Sequence, residues 1–208
     1  LAIVRETVVN VNFTPPTGNV TDATPNVIIG SVYGSGENGT VYENSKVTLT
    51  NGLVRGSVFG GGHGTDTYMV ALKDPNNPSS YLDPSPQRSI TSGKVYGNTE
   101  IVISGGQVLH NVFGGGNFAS VGKGSYMGYG EMSASSITPS PTPYENSGIC
   151  TVNVTGGNIG TTGYPGDGYN NGFVFGSSKG TPFKTVNLNP RYDYSRDFFL
   201  LADRKSVV

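Results

Sequence analysis

The stretch "SVFGGGHG" (residues 57–64) decides the fold, because a near copy, "NVFGGGNF" (residues 111–118), follows later in the chain. The similarity extends well upstream of the glycines. Aligning residues 41–62 with residues 95–116 needs no gap and gives 10 identities in 22 positions at an offset of 54. Most of the remaining positions are conservative exchanges, such as Val47 for Ile101. The chain therefore contains an internal duplication.

Weaker copies of the same element extend the pattern in both directions. "SVYGSGEN" (residues 31–38) and "FVFGSSKG" (residues 173–180) repeat the short apolar stretch and the following glycine. A third copy of the upstream part begins at Cys150, and "TVVNVNFT" (residues 7–14) resembles its first strand. A unit that recurs in this way gains its stability by stacking on its neighbours.

Each unit is predicted to contain two short strands separated by a glycine turn. Apolar and polar residues alternate in the first strand, which is typical of a half-buried strand, and the second strand ends at the glycine run. We predict an all-β fold, a right-handed parallel β-helix (β-solenoid) in which equivalent strands stack in parallel. Cys150 should lie in the core. Alternation places the following residues in interior ladders: Val9, Val11, Phe13, Val47, Leu49, Ile101, Ile103, Val152 and Val154.

Composition and charge exclude several classes of partner. The chain has 32 glycines and 13 prolines, and only 13% of its residues are charged, against about 25% in typical domains. The net charge is −1 and the basic residues are scattered, so we expect no nucleic-acid partner. No apolar stretch is long enough to span a bilayer, so we expect no direct membrane insertion of this segment. The single cysteine cannot form an internal disulfide.

Long insertions interrupt the repeated units at about residues 64–93, 117–147 and 161–171. The prolines of the first and the glycine, serine and proline content of the second predict irregular loops. Both follow a glycine run, as does the tail after Gly176, so these loops should emerge at one corner and cover one side of the solenoid. The final "DRKSVV" (residues 203–208) matches a translation of a widely used sequencing adapter. We therefore predict a metagenomic fragment in which residues 1–202 form one solenoid segment of a larger protein and residues 203–208 are an artefact.

The glycine run admits two interpretations, a phosphate-binding loop and a structural corner. Phosphate binding requires a strand, the glycine loop and then a helix N-terminus, usually with a Lys-Ser/Thr pair. The residues after Gly62 and Gly116 offer neither feature. We therefore predict a corner in which glycine is required by a positive φ and by close backbone approach.

The stretch "GGHGTDTYM" (residues 61–69) also fits a calcium-binding nonapeptide pattern, with Tyr68 as its large residue. Such a site needs tandem copies, because successive turns together supply the oxygen ligands. The equivalent stretch "NFASVGKG" (residues 117–124) has no aspartate. Asp66 is thus the one plausible carboxylate, and no metal ligand is assigned, although calcium binding at Asp66 stays open.

A carbohydrate-active enzyme would need carboxylates fixed close together on rigid strands. The strand cores carry little charge beyond Lys46 and Glu100, which should both face outward. His63 and His110 lie at corners without a neighbouring nucleophile, and we expect structural roles for them. No catalytic or cofactor-binding residue is assigned. The remaining acids fall in the insertions: Asp66, Asp74, Asp83, Glu131 and Asp167.

Tyrosines are concentrated in the insertions. Exposed tyrosines stack on sugar rings or anchor protein interfaces, whereas packed ones would pin the loops onto the solenoid, which is the role we favour. The residues concerned are Tyr68, Tyr81, Tyr126, Tyr129, Tyr144, Tyr164 and Tyr169.

The stretch "VYGNTEIVISGGQVLHNVFGGG" (residues 95–116) resembles repeats of large adhesin-like surface proteins of anaerobic gut bacteria such as Bacteroidales, and of some archaea. The resemblance implies a β-helix on the surface of a bacterium or secreted from it, and brings no catalytic motif. We expect a non-catalytic scaffold whose loops bind host glycan, mucin or a surface protein, with no cofactor. The alternative is a carbohydrate-active β-helix enzyme, such as a polysaccharide lyase or glycosidase, or its accessory domain.

Overall fold

The computed structural model of the chain describes residues 2–18, 26–64, 67–70, 73–74, 77–81, 85–88, 92–123, 147–161, 171–180 and 205–207. Throughout these residues the regular structure consists of strands without a helix, so none of them belongs to a helix that could cross a membrane. The strands are β1 (Ile3–Val4), β2 (Thr7–Asn12), β3 (Val32–Tyr33), β4 (Thr40–Val41), β5 (Ser45–Asn51), β6 (Leu53–Val54), β7 (Val58–Phe59), β8 (Thr67–Val70), β9 (Lys73–Asp74), β10 (Asn77–Tyr81), β11 (Ser85–Arg88), β12 (Thr99–Val108), β13 (Val112–Phe113), β14 (Ile149–Ile159), β15 (Val174–Phe175) and β16 (Lys205–Val207).

Parallel pairing dominates the structure. The first sheet has the strand order β16-β14-β12-β5-β2, with β6 alongside β12, and the second has the order β15-β13-β7-β3. All pairs within these two sheets are parallel. The prediction of an all-β chain with parallel strands is therefore confirmed for the described residues.

Four stretches of the chain contribute in turn to each sheet, and we call them segments one (residues 3–37), two (40–63), three (94–117) and four (121–179). The partners in segments two and three are 54 residues apart in both sheets, which is the offset of the sequence alignment. A third row links Val4, Val41, Val95 and Val121, and a fourth links Glu37, His63, Asn117 and Lys179.

The core consists of two clusters. The larger one joins apolar side chains of the first and second sheets, and the smaller one contains Val41, Val95, Val121 and Cys150. The predicted core position of Cys150 is thereby confirmed. Most predicted ladder residues lie in the larger cluster or pack against it: Val9, Val11, Phe13, Val47, Leu49, Ile101, Ile103 and Val152.

Val154 is an exception, since 43% of it is exposed. It pairs with Ile103, which is fully buried, so its strand position is the predicted one. Among the described residues, however, β16 pairs with β14 only over Ile149–Thr151 and does not reach Val154. Val154 therefore keeps the predicted strand position but has a strand partner on one side only among the described residues.

The first insertion differs from the predicted irregular loop. Strand β8 pairs antiparallel with β11, and β9 pairs antiparallel with β10. Three of the four residues in "TYMV" (residues 67–70) are β-branched or aromatic, which favours a strand. The prolines of this insertion did not prevent strand pairing. Two of them lie within strands of two-stranded sheets, where one side of each strand needs no hydrogen bond. The four prolines are Pro75, Pro78 (in β10), Pro84 and Pro86 (in β11).

Strand β16 lies in the tail that the sequence analysis assigned to an adapter read. It pairs in parallel with Ile149–Thr151, at the end of the first sheet. The pairing places these residues in the fold, while the origin of the tail stays a prediction.

Candidate functional site

The three insertions leave the paired rows and return to them at points tied by hydrogen bonds. The Gly62 amide donates to the Gly93 carbonyl at 3.2 Å. The Lys123 amide donates to Ser147 Oγ at 3.1 Å, and the Thr161 amide to Asn171 Oδ1 at 3.4 Å. Each insertion is therefore an excursion with a closed base, and the rows continue on both sides of it.

The first two insertions do not leave at one corner, contrary to the prediction. The first insertion follows His63. The equivalent residue of segment three is Asn117, and after it the chain runs on without an insertion to Val121, which pairs with Val95. The second insertion therefore begins after Lys123 rather than at residue 117. The third lies between strands β14 and β15. Repetition of the glycine run suggested a common exit for the first two insertions, but all three leave at different positions of the repeated unit.

The glycine run forms a close contact between neighbouring segments. A Cβ atom on Gly60 would overlap the carbonyl oxygen of Gly114, and one on Gly61 would lie 3.0 Å from the backbone of Gly116. The Gly60 amide donates to the Phe113 carbonyl at 2.9 Å, and the Gly61 amide to the Gly115 carbonyl at 3.0 Å. These two amides are used by the fold, so the run does not offer a nest of free donors to a phosphate.

The predicted positive φ is wrong for these glycines. Positive φ values occur instead at the glycines of the predicted turn: Gly52 lies between β5 and β6, whereas Gly106 and Gly157 lie within β12 and β14. Close approach alone explains the glycine run, because a side chain at Gly60 or Gly114 would collide with the next segment. The left-handed conformation explains the turn glycines.

Interior hydroxyls complete the glycine corner. Ser45 Oγ donates to the Gly60 carbonyl at 2.7 Å, and Thr99 Oγ1 donates to the Gly114 carbonyl at 2.6 Å. Both hydroxyl groups are buried and occupy equivalent positions, since Ser45 pairs with Thr99 and Thr99 with Cys150. Satisfying a buried carbonyl avoids a desolvation penalty of about 1–3 kcal/mol, so these contacts hold the corner against the first sheet.

An aromatic ladder, formed by Tyr33, Phe59, Phe113 and Phe175, crosses all four segments. Successive ring centroids are 4.9, 4.9 and 4.8 Å apart, with interplanar angles of 7°, 6° and 13°. Because side chains alternate along a strand, these rings face away from the cluster that contains Val58 and its equivalents. Sequence reasoning missed this ladder, although an aromatic residue at the same place in all four copies was its signal.

Both predicted outward-facing charges lie on the outer face of the first sheet. Lys46 Nζ is 2.7 Å from Glu100 Oε2, and both side chains are partly exposed. An exposed ion pair of this kind contributes at most about 1 kcal/mol. Glu100 therefore belongs to a surface pair between neighbouring strands.

The predicted corner histidines take part in packing and backbone contacts. The His63 ring stacks on the Tyr33 ring with a centroid distance of 5.2 Å. The His110 amide donates to the Gly56 carbonyl at 3.3 Å.

Lys94, a residue that the sequence analysis did not single out, is buried next to the base of the first insertion. Only 5% of it is exposed. Its Nζ lies 4.5 Å from the centroid of the Tyr96 ring, which stacks in turn on Tyr42. Burial lowers the pKa of Lys94 below its usual value of 10.5. A cation over an aromatic face recovers part of the lost hydration.

Most predicted loop residues lie outside the described part of the chain. This holds for Asp66, Asp83, Glu131 and Asp167, while Asp74 is described only as part of strand β9. Among the described residues, no three His, Cys, Asp or Glu side chains come together as a metal site. Calcium binding at Asp66 stays a prediction, as do the roles of the loop tyrosines: Tyr68, Tyr81, Tyr126, Tyr129, Tyr144, Tyr164 and Tyr169.

Comparison of the chain with protein-family models, with curated proteins and with solved structures found no match.

Proposed function

We propose that the chain is a right-handed β-solenoid segment of a secreted or surface-anchored, adhesin-like bacterial protein, in which a non-catalytic scaffold displays insertions that bind host glycan or protein. The in-register parallel pairing of four successive segments supports this proposal. A chain that passes through the same rows in the same order four times behaves as a stacked array, whose stability comes from neighbouring interfaces.

Polar ladders between segments support the scaffold role. Asn44 Oδ1 accepts a hydrogen bond from the Asn98 amide, and Asn98 Oδ1 accepts one from the Ile149 amide, both at 2.9 Å. Asn111 Oδ1 accepts one from the Phe173 amide at 2.9 Å in the same manner. These side chains satisfy backbone donors of the next segment, so their polar groups serve stacking rather than a ligand.

The closed bases of the insertions support the display role. Loops that carry recognition are usually held on a rigid scaffold, and the tied ends at Gly62–Gly93, Lys123–Ser147 and Thr161–Asn171 provide such anchoring. Recognition through loops leaves the stacked rows intact, which suits a surface protein that must present a binding site away from its support.

The test measures binding of the chain to immobilised gastric mucin. Three variants each carry a short Gly-Ser linker in place of one insertion, between Gly64 and Ser92, between Lys123 and Ser147, or between Thr161 and Asn171. We expect at least one variant to lose mucin binding by about tenfold or more while its far-UV circular dichroism stays that of the parent. The control, Lys46→Ala with Glu100→Ala on the outer strand face, should bind as the parent does.

Three results would contradict the proposal. One is a parent chain that fails to bind mucin, and another is full binding by all three loop variants. The third is release of new reducing ends from mucin glycans or plant polysaccharides during incubation, which would indicate the carbohydrate-active enzyme instead.

A further inference from the structure

Tyr42 and Tyr96 form a second aromatic stack, on the outside of the third row. Their ring centroids are 5.4 Å apart, with an interplanar angle of 24°. The two tyrosines directly follow Val41 and Val95, which are buried and pair with each other. Tyr42 is nevertheless 60% exposed. A large exposed aromatic side chain on a rigid wall is suited to binding, because it offers a flat apolar face and a polar hydroxyl group.

One face of the Tyr42 ring is open. The ring of Tyr96 covers the other face, so the exposed surface of Tyr42 belongs to its open face and to the edge of its ring. Continuing the register of Val4 with Val41 places Arg5 of segment one beside Tyr42, where a third ring would extend the stack. Segments one and three thus flank Tyr42, and its exposure follows from the residue type at Arg5 rather than from a missing segment.

The stack is held in place before any ligand arrives. The Tyr42 amide donates to the Val4 carbonyl, and the Tyr96 amide donates to the Val41 carbonyl, both at 2.9 Å. On the Tyr96 ring, the Nζ atom of Lys94 lies 4.5 Å from the centroid. A ligand that binds to a fixed ring orders few side chains, and therefore loses less affinity to conformational entropy.

The groups beside the open face are polar and balanced in charge. Arg5 Nε donates to Glu43 Oε1 at 2.8 Å, and the two side chains are 82% and 44% exposed. This pair carries no net charge, and Lys94 is only 5% exposed, so the surface does not favour an ionic ligand. The contact uses one of the five N–H donors of the guanidinium group. The open face of Tyr42 therefore has both donors and acceptors at its rim.

We propose that the open face of Tyr42 binds a neutral pyranose ring of the β-glucose type within a glycan chain. Such a ring carries its hydroxyl groups equatorially, so both of its faces present C–H groups and its rim presents hydroxyl groups. One C–H face stacks on Tyr42, while the hydroxyl groups pair with Arg5 and Glu43. A sugar with an axial hydroxyl on the contacting face is disfavoured, because that hydroxyl would lose its hydration against the ring. The site lies on the wall of the stack, outside the three insertions, and goes beyond the function proposed for them.

The test is nuclear magnetic resonance of the full chain with cellotetraose, a β-linked glucose tetramer. We expect a dissociation constant of about 1 mM, as for a small exposed site. Saturation of the aromatic protons should pass mainly to the axial hydrogens of one sugar face, either H1, H3 and H5 or H2 and H4. Even saturation of both sets would show that the ring is not stacked and would overturn the proposal.

Substitutions then locate the site. Tyr42→Ala should weaken cellotetraose binding about five- to tenfold, whereas Tyr42→Phe, which keeps the ring, should stay within about twofold of the parent. The matched control is Val8→Ala, because Val8 is 61% exposed on the outer face of the first sheet but has no ring. This control should bind as the parent does. The far-UV circular dichroism of all three variants should match that of the parent.

Four results would overturn the proposal. They are absence of cellotetraose binding by the parent at about 20 mM, unchanged binding by Tyr42→Ala, tighter binding of acidic trigalacturonate, and loss of binding when a Gly-Ser linker replaces the insertion between Thr161 and Asn171. The last result would assign the sugar to that loop. Mucin and cellotetraose are measured separately, so failure of this proposal is distinguishable from failure of the proposed function.

Discussion

Removing one ring from the aromatic ladder should cost more in its interior than at its end. Phe113 is 7% exposed and stacks on Phe59 and Phe175, whereas Phe175 is 40% exposed and has a stacked partner on one side with the tilted Phe173 nearby. Replacing a fully buried phenylalanine by alanine costs about 3–5 kcal/mol. Scaling that cost by the buried fraction, we expect Phe113→Ala to lose about 3–4.5 kcal/mol and Phe175→Ala about 2–3 kcal/mol.

Stacking increases the difference between the two variants. Each stacked pair contributes about 0.5–1.5 kcal/mol beyond its buried area, and Phe113 has one such pair more than Phe175. Phe113→Ala should therefore be less stable than Phe175→Ala by about 1.5–3 kcal/mol in total. For a chain of this length that corresponds to a melting temperature lower by about 3–12 °C.

The measurement is equilibrium urea unfolding followed by far-UV circular dichroism. If the slope of the unfolding free energy against urea concentration is the same in both variants and the parent, all three unfold between equivalent folded and unfolded states. If Phe175→Ala costs as much as Phe113→Ala, then exposure and stacking in this ladder do not determine its stability, and the reasoning fails.

Two further substitutions address the glycine corner and the buried lysine. Gly60→Ala should destabilise the folded chain by about 3 kcal/mol or more, because the added Cβ would overlap the Gly114 carbonyl. The control is Gly30→Ala, which has open space around it and should change the stability by at most about 0.5 kcal/mol. Equal urea midpoints of the two variants would contradict this prediction. Burial lowers the pKa of Lys94 in the folded chain below the value of 10.5. At a pH between these two values the unfolded chain binds more protons than the folded chain, so the unfolding free energy of the parent rises with pH. Lys94→Met should therefore exceed the parent in stability at pH 7, with a gain that shrinks toward pH 10.5; a pH-independent gain would refute this.

The alternation of apolar and polar residues predicted which side chains of the strands face the interior. The alternation around Val47 and Ile101 identified interior residues, because side-chain direction in a strand follows from backbone geometry. The same rule failed to predict the exposure of Val154, because burial also depends on what covers the side chain, and the pattern within one strand carries no information on that. Cys150 was predicted correctly, and it has a strand partner on both sides, in β12 and in β16.

Other features depended on contacts between distant residues. A glycine can be required by its own backbone conformation, as at Gly52, or by the approach of another chain segment, as at Gly60, and the sequence shows the same letter for both. Lys94 differs from its aligned residue Thr40 and carries no local sign of burial. The aromatic ladder was visible as a repeated position, but its stacking geometry follows only from the spacing of parallel strands.

The hydrogen-bonded bases of the insertions have a consequence for how this chain tolerates change in length. Once the two ends of a loop are held together by the scaffold, doubling the number of residues between them costs only about 0.6 kcal/mol in closure entropy. The link from Gly62 to Gly93 therefore makes the length and sequence of the first insertion nearly independent of the folding of the rows beneath it. Insertions at such points can diversify, or be exchanged for foreign peptides, while the stack that carries them keeps its sequence.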